Sequence, residues 1–187
     1  PGLAKNLGAT VKTIHLKESL GWHLDLDELE SIVNDKTKLI SICNPSNPTG
    51  SVMSDDEMRS IAAIAEKYGA YIHSDEVYRG SELDGNETKS FVNFYDKSLV
   101  SCGLSKSFAH PGLRIGWLVA SPDVIQNIWT RKDYTTLCAS VISQEIGTKI
   151  MTLPTRENIL GRSSKMLTEN LVLFQNWLDS HNGLFTF

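Results

Sequence analysis

The sequence contains no apolar run approaching the roughly 18 residues that a bilayer-spanning helix needs, and no basic segment followed by an apolar one opens it. Neither a membrane span nor a secretory leader is expected. Positive charge is not in excess either: 18 lysines and arginines stand against 22 aspartates and glutamates, a formal net charge of -4. With no cluster of basic residues alternating with aromatics, there is no field to attract a phosphate backbone, and nucleic acid is not expected as a partner. Cysteine is scarce and odd in number, and Cys43, Cys102 and Cys138 have neither metal-type nor redox-type spacing. They read as reduced, mostly buried thiols in a reducing compartment, which points to the cytoplasm. Internal repeats and low-complexity tracts are missing as well. What remains is 187 residues, 41% of them hydrophobic, enough to bury the core of an ordinary globular domain.

Short apolar, β-branched runs bounded by turn residues predict strands at TVKTIHL (10–16), KLISICN (38–44), AYIHSDEV (70–77), SLVSCGL (98–104) and RIGWLVA (114–120). Helical signals fall between several of them. In DLDELESIV, Asp25 is placed as an N-cap with Glu28 three residues on, and Leu26, Leu29, Ile32 and Val33 form one stripe. In SDDEMRSIAAIAEKYG, Ser54 and Glu57 have capping-box spacing, Asp55 and Asp56 complement the helix dipole, and Gly69 ends the segment. Alternation of strand and helix predicts an α/β fold: three αβα layers around a mostly parallel mixed sheet. After residue 121 the pattern becomes helical, through SPDVIQNIWTRK and CASVISQEIGTKIM, and ends in a long apolar stripe from about Thr155 to His181. A helix that long reaches about 40 Å, enough to leave one domain and enter another.

In an open α/β sheet, ligands bind beyond the carboxyl ends of the strands. Four such ends hold chemically useful residues: NPSNPTG (44–50), DEVY (75–78), Ser105 with Lys106, and the turn that delivers Arg114. Singly, each has a plain structural explanation. Asn and Pro clusters make turns, Asp75 can cap locally, lysines are usually solvated, and an arginine can belong to a weak surface ion pair. A Ser–Lys hydrolase is disfavoured because Ser105 and Lys106 are adjacent rather than at S-x-x-K spacing. Together the residues match the needs of one cofactor. Pyridoxal phosphate requires an amine for its Schiff base, a carboxylate for its pyridine nitrogen, donors to its ring oxygen and a cation for its phosphate.

NPSNPTG, SDEVY and LSKSFAHPGLRIGW, in this order and at these separations, resemble the class I and II aminotransferases among the fold type I pyridoxal phosphate enzymes, the aspartate aminotransferase superfamily. The resemblance covers almost the whole chain. It implies that Lys106 forms the internal aldimine and then moves a proton between the substrate Cα and the cofactor's C4' carbon. Asp75 would pair with the pyridinium nitrogen, Asn47 and Tyr78 would donate to the phenolic oxygen, and Arg114, with Ser105, would hold the phosphate. A free amine at Lys106 requires a depressed pKa, expected from desolvation and neighbouring positive charge. Gly112 and Gly116 are expected to let backbone pass close to the phosphate, Gly50 to allow tight packing, and Asn47–Pro48 is a candidate cis peptide.

Gly103 stands where many relatives carry a phosphate-binding serine, and His73 and His110 match no functional position of the family and read as structural, with no metal site. The implied partners are an amino acid and a 2-oxo acid, and the implied assembly is a homodimer of the full-length protein. Pro1 is not an initiator methionine and HNGLFTF reads as the opening of a strand, so a central fragment is expected. Its expected division is a large cofactor-binding domain over 1–153, lacking its N-terminal part, and a linking helix with the first strand of a small domain over 154–187. A carbon–sulfur β-lyase or an elimination like that of aminocyclopropane carboxylate synthase uses the same residues, and the isolated piece could equally be inactive.

Overall fold

A computed structural model describes residues 1–181 and 183–185. Four strands form one sheet in the order β1 (Leu39–Cys43), β2 (Tyr71–Asp75), β3 (Ser98–Gly103) and β4 (Gly116–Val119). The first three are parallel and β4 is antiparallel to β3. A short helix, α1 (Gly2–Asn6), begins the chain, and α2 (Leu26–Ile32) and α3 (Asp55–Tyr68) follow. The last three helices are α4 (Pro122–Lys132), α5 (Val141–Ile150) and α6 (Leu153–Asp179).

The local signals for α2 and α3 become bonds. Asp25 accepts from the Glu28 amide at 3.1 Å. Ser54 and Glu57 close a reciprocal capping box, and Gly69 takes the left-handed conformation that ends α3. The α3 face of Met58, Ile61, Ala62 and Ala65 packs with Ile40, Ile72 and Val100 from one side of the sheet, with Leu29 from α2 and with Val33 just after it. Strand alternation then points Leu39, Tyr71 and Leu99 to the other side, where α4 supplies Val124, Ile128 and Arg131 to a shared cavity of about 410 Å³. These are the three layers expected of the α/β fold.

A second core of Leu104, Phe108, Ile150 and Leu160 locks the lysine-bearing segment to α5 and the base of α6. There Gly80 is at φ +90, and a Cβ on it would lie 3.0 Å from a Leu160 methyl. An ionic clamp reinforces the junction: Arg156 pairs with both carboxylate oxygens of Glu87 at 2.6 and 2.7 Å, and Arg79 reaches Glu87 at 2.8 Å.

Three sequence expectations change. Residues 10–16 form no strand; instead the Lys12 ammonium donates to the Ile32 carbonyl, and Ile14 packs against the core beside α2. The strand expected at HNGLFTF depends partly on residues 182, 186 and 187, which lie outside the described residues, while 183–185 form turn and bend. The close approach at Gly116 is to the sheet itself: a Cβ there would sit 2.9 Å from the Cys102 carbonyl oxygen, whereas Gly112 and Gly50 face open space. Gly50 serves its turn through a φ of +73. Both Asn44–Pro45 and Asn47–Pro48 are cis. Among the described residues, no helix is long and apolar enough to cross a membrane.

Gly116→Ala is expected to lose about 1–3 kcal/mol because backbone, not a flexible side chain, opposes the new methyl. Gly112→Ala serves as the control and should stay within about 0.5 kcal/mol, both measured by denaturant unfolding. Burial, followed by the charge of Glu76, pushes the Cys102 thiol up to about 11, while Cys138 is exposed. Because the thiolate is the nucleophile, iodoacetamide at pH 8 should label Cys138 first and Cys102 last, with Cys102 labelling rising as pH approaches 11, read by timed mass spectrometry.

Candidate functional site

Level parallel pairing sets Cys43 and Asp75, the last residues of β1 and β2, side by side with Ser101, two residues before the end of β3. The loop after β1 is then folded across the end of β2. The Asn44 amide donates to the Asp75 carbonyl at 3.0 Å, and the buried Asn44 side chain accepts from the Met53 amide at 2.9 Å. Two further bonds, Ser46 N–H to Ser51 and Gly50 N–H to Ser46, close the loop on itself. At its apex Asn47 donates from Nδ2 to the Tyr78 hydroxyl at 2.9 Å.

Asp75 uses its two oxygens differently. Oδ1 accepts from the Val77 amide at 3.3 Å, capping the exit turn locally, and from the Ser101 hydroxyl at 3.4 Å. Oδ2 has no hydrogen-bond partner among the described residues, so local capping leaves one carboxylate oxygen uncommitted. The next residue, Glu76, is buried and anchors the turn by accepting from the Phe91 amide at 2.9 Å and the Ser90 hydroxyl at 3.1 Å. Burial raises its pKa.

Lys106 is carried by a turn tied to the exit of β2. The buried Ser107 donates to the Val77 carbonyl from both its hydroxyl, at 2.9 Å, and its amide, at 3.4 Å. That tie brings the Lys106 ammonium within 5.7 Å of the centre of the Tyr78 ring, inside cation–π reach. Lys106 is exposed, so these residues do not themselves supply the desolvation expected of it. Ser105 is half-buried beside it. Arg114 follows a short 3-10 turn over Pro111–Leu113, at φ 52, and its guanidinium donates back to the Pro111 carbonyl at 3.0 Å.

Asn47, Tyr78, Asp75 and Lys106 therefore converge on adjoining strand ends, with Ser105 next to the lysine. Arg114 is exposed on the following turn and makes no hydrogen bond to the others. Two contributors carried no sequence signal. Ser107, next to Lys106, is one, and its tie to Val77 depends on a bond between segments 30 residues apart. His73 read as structural, yet it bonds to Ser101, which holds Asp75. Among the described residues there is no group of three or more His, Cys, Asp or Glu suited to a metal.

Comparison with known proteins accords with this arrangement. The family profile described as Aminotransferase class I and II matches residues 2–187. The "Probable aspartate aminotransferase" of Methanocaldococcus jannaschii is 36% identical over 140 residues, covering 72% of this chain and 36% of the relative. The S-alkyl-thiohydroximate lyase SUR1 of Arabidopsis thaliana is 29% identical over 176 residues, covering 89% of this chain and 38% of the relative. Among solved structures, a PLP-dependent aminotransferase from Streptococcus suis superposes with a TM-score of 0.87 at 36% identity, over 95% of this chain and 46% of that one. The chain thus spans little more than a third of these curated relatives. The paired parallel strands, the asparagine–tyrosine pair, the carboxylate and the lysine all sit within the matched span, and the chain belongs to the class I and II aminotransferase family.

Proposed function

We propose that the whole protein is a pyridoxal phosphate dependent aminotransferase that moves an amino group between an α-amino acid and a 2-oxo acid. The observation that carries this reading is that, in a chain of this family, the Lys106 amine lies over the ring of Tyr78, whose hydroxyl accepts from Asn47, while Asp75 three residues before Tyr78 keeps one carboxylate oxygen uncommitted. The donor set fits the cofactor. Asp75 Oδ2 is free for the pyridine nitrogen, Lys106 has no hydrogen-bond partner among the described residues, and Arg114 uses one donor on its own turn and keeps the rest. When bound, the cofactor supplies a carbonyl that condenses with amines and a ring that accepts the electron pair released at the substrate Cα.

The chain's own residues do the rest. Asp75 keeps the ring nitrogen protonated, with its other oxygen fixed by Val77 and Ser101. Tyr78 accepts from Asn47, so its own hydroxyl proton is available for the ring's phenolic oxygen, and Asn47 retains a second N–H for the same atom. Arg114 and Ser105 hold the phosphate, the arginine with a planar fork that a lysine could not reproduce. Lys106 would be the residue that holds the cofactor through its amine and, when free, the base that would move a proton at the substrate Cα. Water exclusion around this exposed lysine falls to parts of the whole protein beyond these residues. In the same proposal residues 1–153 belong to the cofactor-binding domain, 154–187 lead toward a second one, and the whole protein is a cytoplasmic homodimer.

A second reading is carbon–sulfur lyase chemistry, favoured by the lyase relative that aligns over most of the chain. Product analysis separates the two. A transaminase yields one new amino acid for each 2-oxo acid formed, whereas release of ammonia and a thiol from a sulfur-containing amino acid would replace the first reading with the second. In the whole protein, borohydride should fix the cofactor to Lys106, and Lys106→Ala should abolish that adduct. An adduct that survives the substitution overturns the assignment. Asp75→Asn should keep bound cofactor yet lose turnover by about 100-fold or more, and near-normal turnover would remove Asp75 from its role.

A further inference from the structure

We propose that His73 is a positioning residue for the reaction: it closes a one-directional hydrogen-bond chain, Ser41 to His73 to Ser101 to Asp75, that holds Asp75 toward the cofactor's ring nitrogen. This rests on the function proposed above. The chain lies on one face of the sheet, because residues 41, 73, 75 and 101 occupy same-side positions in the level registers Ser41↔His73 and Asp75↔Ser101. Its links are Ser41 Oγ to His73 Nδ1 at 3.0 Å, His73 Nε2 to Ser101 Oγ at 3.1 Å, and Ser101 Oγ to Asp75 Oδ1 at 3.4 Å.

Donor accounting gives the chain its direction. An ionised carboxylate only accepts, so the Ser101 hydroxyl hydrogen is committed to Asp75. Ser101 must then accept from His73, which places a hydrogen on Nε2. In the neutral ring Nδ1 is left to accept from the Ser41 hydroxyl. Every donor thus points toward Asp75, and hydrogen bonds aligned in this way reinforce one another. The longest link is the last one, so Ser101 depends on His73 to keep its hydroxyl oriented. The carboxylate plane is set from behind, by Val77 N–H and Ser101 O–H on Oδ1, and Oδ2 is presented outward without any group of its own to hold it. Removing His73 frees Ser101 to rotate and loosens that presentation.

The test uses the whole protein loaded with pyridoxal phosphate labelled with nitrogen-15 in the ring. In the unsubstituted protein the ring nitrogen should resonate as a protonated, hydrogen-bonded pyridinium. His73→Leu and Ser101→Ala should both move it toward the neutral-pyridine position and lower kcat about tenfold, with KM for the amino acid changed less than about twofold. His73→Gln, whose Nε2 can still donate to Ser101, should restore both readouts, while the thermal midpoints of His73→Leu and His73→Gln remain alike. If His73→Leu fails to fold, Ser101→Ala decides alone, since it removes a single hydroxyl. An unchanged ring resonance in Ser101→Ala and in any folded His73→Leu overturns the inference and leaves the aminotransferase reading standing. Failure of the unsubstituted protein to link cofactor to Lys106 overturns both.

Discussion

Parallel pairing in a level register is the constraint on which the site depends. Three strands run the same way, β1 and β2 ending level and β3 two residues farther on, so side chains far apart in sequence arrive together without any loop having to reach: Cys43, Asp75 and Ser101 are neighbours because the ladder makes them so. Short ties then refine the placement. Asn44 draws the first loop over the end of β2, and Ser107 draws the lysine turn down onto Val77. A slip of one residue in β2 would turn Asp75 to the packed face and replace it with Ser74, which is fully buried. Hydrophobic packing of Ile40, Ile72 and Val100 against α3 opposes that slip, so the core on one face of the sheet fixes which side chains line the other.

The two faces are built by different physics. The packed face is mainly apolar, with the buried hydroxyls of Ser74 and Ser98 set among Ile40, Ile72 and Val100. The opposite face carries Ser41, His73, Ser101 and Asp75, polar groups that a sheet side against a helix would ordinarily replace with β-branched residues. Apolar residues return toward the other end of the strands, at Leu39, Tyr71 and Leu99 beneath α4. Polarity is thus concentrated toward the carboxyl ends, where ligands bind in open sheets.

Much of this was legible in the sequence. Asp25, Ser54, Glu57 and Gly69 marked helix ends through side-chain and backbone bonds confined to three or four residues, and such local chemistry is readable without a fold. Strand ends at Asn44, Asp75 and Ser105 were legible because apolar runs stop where turn residues begin. Segment 10–16 shows where that logic fails: apolar alternation licenses a strand, but a ladder needs a partner, and this segment packs beside α2 instead. The packing partner of Gly116 was hidden for a similar reason, since its crowding comes from Cys102, a residue fourteen positions away that only the antiparallel pairing brings close. His73 was hidden by its ordinariness. Nothing in the spelling of IHSDEV distinguishes a histidine that fills space from one whose two nitrogens join three strands.

The junction at Arg156, Glu87 and Gly80 gives α6 the mechanics of a lever. Its base is held by a two-point ionic clamp and by Leu160 seated against a glycine, while Met166, Val172, Leu173 and Trp177 farther along are exposed. From Leu160 to Asp179 the helix extends roughly 30 Å, so a tilt of about 5° at the fulcrum displaces its far end by roughly 3 Å. The fulcrum lies just beyond Tyr78, on the segment that leads out of β2. An angular change at that fulcrum would therefore grow along α6 in proportion to the distance from Leu160.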